Sequence, residues 1–436
     1  MKRLYFIWDE LIASFWFIPI LIIMVSIGAA IGLLYLDNLI DYKPSGGFEL
    51  IFTGSVDSAR AVLSTISGAM IGVAGTVFSI TLVALTLASS QFGSRLLQNF
   101  MHERINQIVL GTYISTYVYC LIILNSVKST DQLSFIPSFS VLFSIIAAIA
   151  NIILLIIFIH HIAVSIQADK VIADISGTLS KNLKVLFPEE LGSGPEEHAI
   201  PNVIKIKETY PFKNNIVSPK SGYVLYMDNE MIAELALKHN LLLVLHKRPG
   251  NYLVEGMEIG EVYSHEEYTD EQALKFQDVF IIGKSRTTQQ DSEFSIHQMV
   301  EIAGRALSPG VNDPYTAIAC IDNLTSTMCY LTKVKFPSQY RFDEEQNLRV
   351  IASCLSFQGM MDVAFNQIRQ FASGSPSVVI RLMEAFITIN KFTKNQEQKK
   401  AVHKHAKMVL RMAEESFGEK NDLKDLRERS RLIIGE

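Results

Sequence analysis

Long runs of apolar residues fill the first third of the chain, whereas the remainder has the mixed pattern of a soluble protein. A helix needs about 20 apolar residues to cross a bilayer. The first run exceeds the apolar core of a secretory signal peptide, and no clear cleavage site of small residues follows it. The pattern predicts a four-helix transmembrane domain over residues 1–167, with spans at about 15–36, 62–88, 108–127 and 139–162.

The lysine and arginine residues near the ends of these spans are divided unevenly between the two sides of the membrane. One side holds Lys2, Arg3, Arg95, Arg104, Lys170, Lys181 and Lys184. The other side holds Lys43, Arg60 and Lys128. Because loops rich in basic residues stay in the cytoplasm, we expect both termini to be cytoplasmic.

The second span is predicted to form an unusually long helix. No proline lies between Pro44 and Pro137, so we expect the helix to run from about residue 58 to residue 100. It would be roughly 60 Å long and would project into the cytoplasm. A projection at about 100° per residue places small or weakly polar side chains on one face. This small-residue face comprises Gly68, Gly72, Gly75, Thr76, Ser79, Val83, Thr86 and Ser90.

Two interpretations of the small-residue face remain open. Small residues let helix backbones approach closely, and Gly68 and Gly72 form a G-x-x-x-G pair that is typical of helix packing. Alternatively, the same helix from several subunits lines a water-filled pore, with Val83 as a constriction that gates by dewetting. The interpretations overlap, because a packed oligomer can enclose a narrow pore. The spans contain no Asp, Glu, Lys or Arg, so selectivity would come from backbone, hydroxyl groups and pore width.

The fourth span carries three further polar residues. Asn151 lies near mid-membrane and is expected to form a hydrogen bond between helices. His160 and His161 lie at the cytoplasmic end of the span. For these histidines, placement at the membrane interface competes with a pH sensor or a metal site.

The cytoplasmic part is predicted to be an α+β region with three segments. These are a helical stalk and linker at 168–200, a β module at 201–265 and a helical domain at 266–436. Within the β module, a short helix at 230–238, capped by Asn229, is expected among strands at 203–207, 216–218, 223–227, 241–246, 252–254 and 259–263. Helical spacing of apolar residues predicts helices at 294–307, 315–334, 346–371, 378–392, 398–417 and 424–434.

Two turns of the β module, at residues 218–224 and 249–256, resemble those of a barrel-sandwich hybrid domain, the fold of biotinyl and lipoyl carriers. A carrier needs a modifiable lysine on a tight exposed hairpin. The sequence contains no equivalent of that lysine motif, so we expect a structural module.

A cluster of charged and polar residues stands out in the predicted helical domain. Asp313 is expected to cap one helix and Pro314 to occupy its first position, as helix-cap chemistry favours. The cluster could form a buried polar network, or it could hold an anionic ligand at a helix N-terminus. Its residues are Arg286, Asp291, Arg305, Asn312 and Asp313.

Composition excludes several functional classes. The formal net charge of -5 argues against general nucleic-acid binding. The four cysteines show no C-x-x-C spacing, and the chain lacks the P-loop, G-x-S-x-G, H-E-x-x-H and G-x-G-x-x-G motifs. We therefore expect no enzymatic activity, no cofactor and no metal.

Three segments together resemble a bacterial family of predicted inner-membrane proteins of unknown function. They are residues 88–97 after the small-residue face, the turn at residues 222–223, and residues 286–314, which contain the motif R-A-L-S-P-G-x-N-D-P at 305–314. The resemblance implies a location in the bacterial cytoplasmic membrane. It supplies no activity, so it transfers no catalytic residue.

Two functional hypotheses follow. In the first, the chain is a homo-oligomeric, multi-pass inner-membrane protein that conducts small ions, with the cytoplasmic part as gate or vestibule. In the second, the membrane helices only anchor a sensor or scaffold whose cytoplasmic part binds a ligand or a partner protein. Both hypotheses imply a lipid bilayer as partner and no nucleic acid.

Overall fold

The structure is a computed structural model that describes residues 14–40, 55–93, 103–130, 133–186, 201–267, 276, 279–288 and 290–435. The chain folds into two compact units, which we call the membrane unit (Met1–Lys170) and the C-terminal unit (Val171–Glu436). Four long apolar helices precede a mixed region with sheets and a helical C-terminal region. The predicted fold class is therefore confirmed.

The four helices of the membrane unit are each long and apolar enough to cross a membrane. They are α1 (Phe17–Leu39), α2 (Val56–Phe92), α3 (Arg104–Ser126) and α4 (Ser138–Ser165). A two-stranded antiparallel hairpin, β1 (Lys128–Thr130) and β2 (Leu133–Phe135), connects α3 to α4.

Helix α2 is the longest helix of the membrane unit among the described residues. Its 37 residues correspond to about 55 Å at the usual rise per residue. Ser55 caps its start, because the Ser55 hydroxyl accepts a hydrogen bond from the Ser58 backbone N–H at 3.2 Å. The predicted continuation over residues 94–100 lies outside the described residues.

Helix α3 packs closely against α1. The two helices come close at Gly111, where a Cβ atom, if the residue carried one, would lie 2.9 Å from the Cα of Pro19. Only a residue without a Cβ allows this crossing. Gly111 therefore sets the distance between the two helices.

Helix α4 receives its cap from a side chain distant in sequence. The Asp37 carboxylate, near the end of α1, accepts hydrogen bonds from the backbone N–H of Phe139 at 2.9 Å and of Ser140 at 3.0 Å. The first backbone N–H groups of a helix have no partner within the helix. Asp37 supplies that partner and joins the ends of α1 and α4.

Two sheets form the β part of the C-terminal unit. The five-stranded sheet has the order β3-β7-β5-β10-β9, and the three-stranded sheet has the order β6-β4-β8. Among the described strands, only β5 and β10 pair in parallel, with Leu245 opposite Ala352. The strands are β3 (Phe212–Val217), β4 (Gly222–Met227), β5 (Leu242–Leu245), β6 (Tyr252–Leu253), β7 (Glu258–Ser264), β8 (Phe280–Gly283), β9 (Tyr340–Phe342) and β10 (Leu348–Ala352).

The remaining α-helices of the described chain lie in the C-terminal unit or lead into it. Those before and among the first strands are α5 (Ala168–Leu186), α6 (Val203–Lys207) and α7 (Asn229–Lys238). The C-terminal helices are α8 (Ser292–Ala306), α9 (Pro314–Leu331), α10 (Phe357–Phe371), α11 (Pro376–Phe392), α12 (Gln396–Ser416) and α13 (Lys420–Ile434).

Residues 203–207 form helix α6, so the strand predicted there is wrong. Alternating apolar residues suggested a strand. Asn202 instead caps a helical turn by accepting a hydrogen bond from the Lys205 N–H at 3.2 Å. Ile206 packs against buried residues of the five-stranded sheet. A local cap and one tertiary contact override the period-two pattern. Helix α7 is similarly capped by Asp228, one residue earlier than expected.

The start of the helix that the sequence predicts at 346–371 is also wrong. Residues 348–352 form strand β10, in which Leu348, Val350 and Ala352 are buried in alternation. Helix α10 begins only at Phe357, where the Ser356 hydroxyl accepts a hydrogen bond from the Gly359 N–H.

The β part extends beyond the predicted β module at 201–265, because three strands come from the segment 266–436 that the sequence predicts to be helical. Strand β8 pairs with β4, β10 pairs with β5, and β9 pairs with β10. The predicted limit at residue 265 therefore falls within sheets that continue to residue 352. One hydrophobic core contains side chains from both sides of that limit, including Leu243, Val262, Phe280 and Val350.

Candidate functional site

The small-residue face of α2 points away from the other helices of its own chain. A Cβ built on Gly68, Gly72 or Gly75 would meet nothing within 4 Å. The side chains of the other members are exposed, and Val83 is 59% exposed. The described helices of one chain therefore do not pack against the glycines of this face.

A different face of α2 forms the contact with the chain's own helices. Met70, Ala74 and Val77 are buried there, in one core with Val109 and Phe158. Since residues three and four apart share a helix face, these positions form a continuous stripe along α2. The face that holds one chain together and the small-residue face are thus separate surfaces.

The hydroxyl groups of the small-residue face bind the backbone of their own helix. Ser79 donates to the Gly75 carbonyl at 2.9 Å, and Thr86 donates to the Leu82 carbonyl at 2.8 Å. Such bonds satisfy the hydroxyl proton without an outside partner. The hydroxyl oxygens retain acceptor capacity for water, ions or another helix.

Asn151 forms the interhelical hydrogen bond that its position suggested. Its amide nitrogen donates to the Thr116 hydroxyl at 2.8 Å, and its backbone carbonyl accepts a hydrogen bond from the Tyr113 hydroxyl at 2.6 Å. Asn151 is 2% exposed. The residue ties α4 to α3, which is a packing role.

His161 and Glu103 lie together where α3 begins and α4 ends. The His161 Nε2 atom is hydrogen-bonded to the Glu103 carboxylate, and the Ser165 hydroxyl lies 3.4 Å from the same carboxylate. Both side chains of the pair are about one-third exposed. The pair joins α4 to the residue before α3.

In the C-terminal unit, Arg286 and Asp291 form an ion pair of 2.7 Å. The Asp291 carboxylate also caps α8 by accepting the Phe294 N–H at 3.1 Å, and Asp291 is 3% exposed. The Arg286 guanidinium lies over the Phe294 ring, 5.5 Å from its centre. The arrangement satisfies both charges internally, as a structural network requires.

The other members of the predicted polar cluster have different partners. Asp313 caps α9, because its carboxylate accepts the Thr316 N–H at 3.1 Å and the Thr316 hydroxyl at 2.6 Å. Asn312 has a φ of 50°, a left-handed conformation that asparagine tolerates. Arg305 forms an ion pair with Glu301 at 3.5 Å. The segment 305–314 thus builds the turn between α8 and α9, as its cap chemistry indicated.

Three side chains on β7 and just after β5 have a spacing that would suit a metal ion. Oxygen and nitrogen atoms of His246, Glu258 and Glu261 lie within 4.8 Å of one another. However, Glu261 already accepts hydrogen bonds from Lys213 at 2.6 Å and Lys207 at 3.0 Å. These lysines would repel a cation, so the donor set does not fit a metal.

A pKa shift accompanies these contacts. Burial disfavours the Glu261 carboxylate, but hydrogen bonds from the two lysines and from the Tyr263 hydroxyl outweigh that effect and lower its pKa to about 2. Glu261 is therefore ionised at neutral pH and acts as the centre of a surface network.

His405 is a fully buried histidine on α12, where it faces α10 and α11. Its Nε2 lies 3.0 Å from the Asp362 carboxylate, and its ring contacts the rings of Phe365 and Phe386. Burial lowers its pKa to about 4, and the opposing attraction of Asp362 is smaller. The imidazole is consequently neutral at physiological pH.

A cleft lies at the carboxyl ends of the parallel strands β5 and β10. It has a cavity volume of about 200 Å³ and opens to solvent, and Lys247, Arg248 and Arg341 line it. The sequence pattern does not predict this site. A pair of basic residues directly after a buried strand was the available signal, but only the pairing with β10 brings in Arg341 and the segment after residue 352.

The family profile described as predicted membrane protein (DUF2254) matches residues 12–388. The chain belongs to this family. The DUF2254 match includes all four membrane helices, the small-residue face and the turn between α8 and α9. It ends within α11, so α12 and α13 lie beyond it.

Relatives of this DUF2254 protein occur in mycobacteria. An uncharacterized protein of Mycobacterium bovis and one of Mycobacterium tuberculosis H37Rv are each 30% identical to it over 429 residues. The alignments cover 95% of this chain and 79% of each relative. No solved structure matches the chain.

Proposed function

We propose that this DUF2254 protein is a homo-oligomeric ion channel of the bacterial cytoplasmic membrane. The α2 helices of several copies meet through the small-residue face and surround a narrow pore. The observation that carries the proposal is the free space at Gly68, Gly72 and Gly75. A face whose glycines the described helices of the same chain leave unpacked is suited to another copy of the same helix.

Lipid alone is a less suitable neighbour for this face. Helix α2 also exposes large apolar side chains, including Ile71, Phe78 and Leu82, on adjacent surfaces. These side chains suit lipid contact. Small residues beside them form a shallow depression that a second helix fills with better packing than lipid chains do.

The proposed pore would be selective through hydroxyl and backbone oxygens. The described face offers Thr76, Ser79, Thr86 and Ser90 as hydroxyl carriers, and no ionisable residue lies among them. Val83 is the one bulky apolar member of the face. In a narrow pore, a ring of valines excludes water and acts as a hydrophobic gate.

The proposed orientation of the protein in the membrane rests on the distribution of its lysine and arginine residues. The basic residues near the helix ends favour cytoplasmic termini. In that arrangement the C-terminal unit lies on the cytoplasmic side and serves as vestibule or gate.

Recording from the purified protein in planar bilayers tests the proposal. We expect discrete currents, a larger conductance or open fraction in Val83→Ser, and loss of current in Gly72→Leu. The matched control is Leu82→Ser, because residue 82 lies about 100° around the helix from residue 83. Equal effects of Val83→Ser and Leu82→Ser, or silence with all small cations and anions tested, would contradict the pore.

Cross-linking tests the assembly separately from conduction. Oxidation of native membranes should link Ser79→Cys into dimers, whereas Phe78→Cys should link poorly. The parent protein with its four natural cysteines gives the background. If neither position links, the small-residue face does not join subunits.

The cleft in the C-terminal unit favours a second candidate, a membrane-anchored sensor or scaffold. In that case α2 only holds the oligomer together, and the C-terminal unit binds a ligand or a partner protein. Current recordings distinguish the two candidate functions. If residue 79 cross-links between subunits but the protein conducts no ions, the result supports the anchored sensor.

A further inference from the structure

The cleft at the carboxyl ends of β5 and β10 has the position of a ligand site. Both strands end at the same edge of the sheet because they are parallel, and Ser353 N–H donates to the Leu245 carbonyl at 3.2 Å just beyond them. In sheets with parallel strands, ligands bind in the crevice outside the carboxyl ends. The loop after each strand lines the cleft.

The charge of the cleft is strongly positive. Lys247, Arg248 and Arg341 line it, and no described lining residue is an aspartate or a glutamate. Glu293 neutralises Arg248 through a contact of 2.8 Å. Among the described residues, the Lys247 ammonium has no ion-pair partner. Two positive charges, on Lys247 and Arg341, are left without a compensating carboxylate in the part of the cleft that the structure describes.

The polar lining is held in place by contacts behind it. The Gln290 amide is fixed at both ends by the backbone of Met227, with distances of 2.9 and 3.2 Å. The Arg341 guanidinium donates to the Asn229 side chain at 3.1 Å. Side chains fixed in this way lose little freedom when a ligand binds.

The remaining lining is apolar and can hold the organic part of a ligand. Met227, Pro249, Pro337 and Leu355 contribute to it. The cavity itself has a volume of about 200 Å³, below the roughly 300–1,000 Å³ of drug-sized sites, and it opens to solvent, so part of a bound ligand would lie outside it. A bare inorganic ion would leave most of this apolar surface in contact with water.

We propose that the cleft binds a phosphate monoester that carries an apolar or aromatic group. The dianionic phosphate lies between Lys247 and Arg341, whose two charges it balances, and the organic group lies against the apolar lining. Arginine presents a fork of donors that matches phosphate oxygens, and lysine adds a point charge. The site is independent of the proposed pore, since all its residues lie in the C-terminal unit.

Titration calorimetry on the full chain in detergent tests the site with adenosine monophosphate, adenosine and inorganic phosphate. We expect adenosine monophosphate to bind more tightly than inorganic phosphate and adenosine to bind least. Lys247→Gln and Arg341→Gln should each raise the Kd about tenfold or more, because each removes a charge-assisted contact. The matched controls Lys400→Gln and Arg411→Gln change exposed cations on α12 and should leave the Kd unchanged.

Thiol labelling supplies a second readout that does not depend on heat of binding. Cys354 lines the cleft, whereas Cys329 lies on α9 and serves as an internal control. A bound phosphate monoester should slow the labelling of Cys354 and leave that of Cys329 unchanged. This protection should weaken as salt is raised, because the contact is electrostatic.

Vesicles that contain phosphatidic acid distinguish a lipid headgroup from a soluble ligand. Protection of Cys354 by these vesicles but not by adenosine monophosphate identifies a lipid as the source of the phosphate monoester. The inference is overturned if adenosine monophosphate, inorganic phosphate and the vesicles all fail to bind below about 1 mM. It is equally overturned if Lys247→Gln and Arg341→Gln bind as the parent does.

Discussion

Gly250 and Asp291 lie so close together that a Cβ on residue 250 would fall 2.4 Å from the Asp291 Oδ2 atom. Gly250 also has a φ of 90°, in the region that favours glycine. The absent side chain leaves room for the carboxylate that caps α8 and pairs with Arg286. A turn of the β part thus determines the position of a helix cap about 40 residues later in the chain.

Gly250→Ala should therefore destabilise the C-terminal unit by about 3 kcal/mol, through backbone strain and displacement of Asp291. Hydrogen exchange in peptides from α8 should rise, and the Tm of the full chain should fall. Gly256→Ala is the matched control, because Gly256 has a φ of 78° but nothing within 4 Å of its Cβ position. If the Tm falls equally in the two variants, backbone strain alone explains the loss of stability, and the contact with Asp291 does not.

The lowered pKa of Glu261 predicts a specific loss of stability in acid. The folded state holds the pKa at about 2, below its ordinary value of 4.5, so the unfolded chain takes up a proton first as the pH falls. The stabilisation by Glu261 is present above pH 4.5 and is lost progressively towards pH 2. Glu261→Gln should be less stable than the parent at pH 6, and this difference should shrink as the pH falls, as measured by chemical unfolding.

Glu255→Gln is the control for that experiment, since Glu255 is exposed on the neighbouring turn. The free energy of unfolding of this variant should change with pH in the same way as that of the parent. If the free energies of unfolding of Glu261→Gln and the parent differ by the same amount from pH 6 to pH 2, the ionised Glu261 carboxylate is not the source of the loss of stability in acid.

His405 predicts a second, separate window of pH dependence. Burial lowers its pKa to about 4, so between pH 6.5 and pH 4 the unfolded state binds a proton that the folded state does not. The parent should lose stability as the pH falls through this window. His405→Gln should lose less over the same window, although it starts from a lower stability because the Phe365 and Phe386 contacts are lost.

His403→Gln changes a partly exposed histidine two residues away and serves as the control. Its stability should fall with pH as that of the parent does. If His405→Gln and the parent lose equal stability from pH 7 to pH 4.5, the buried imidazole is not the source of the pH dependence.

Two glycines of the membrane unit should respond differently to the same substitution. Gly111→Leu places a side chain where Pro19 lies 2.9 Å from the Cβ position, so it should lower the Tm of the detergent-solubilised chain. Gly75→Leu meets open space and should leave the fold of one chain intact. Its effect should appear in self-association, measured by the mass of the detergent complex. An equal fall in Tm for both variants would argue against the distinction between internal and external faces.

The membrane helices could be predicted because lipid imposes a simple rule. Backbone groups without water must bind one another, so about 20 consecutive apolar residues indicate a helix. The small-residue face of α2 was visible for the same reason, since helical geometry sets which residues share a face. The cap of α9 at Asp313 was also visible, because cap chemistry is local.

The C-terminal unit was harder to predict where strands far apart in sequence pair. Strand β10 is short and stands before a helix, and its pairing with β5 joins residues about 100 positions apart. Neither strand signals that partner locally. At residues 203–207 a predicted strand is in fact a helix. Five residues are too few to distinguish the helical from the strand pattern, so the cap at Asn202 and the contact of Ile206 decide the conformation.

The amino-acid sequence alone determined the number of membrane helices, the face of α2 that carries small residues and the cap of α9 at Asp313, because these depend on neighbours in the chain. Tertiary structure alone decided that the glycines of this face are left unpacked by the other described helices of the chain. It also brought Arg341 and Lys247 into the lining of one cleft at the end of the parallel strands. Both results depend on which distant segments come together, and that is settled by the packing of complete side chains in three dimensions.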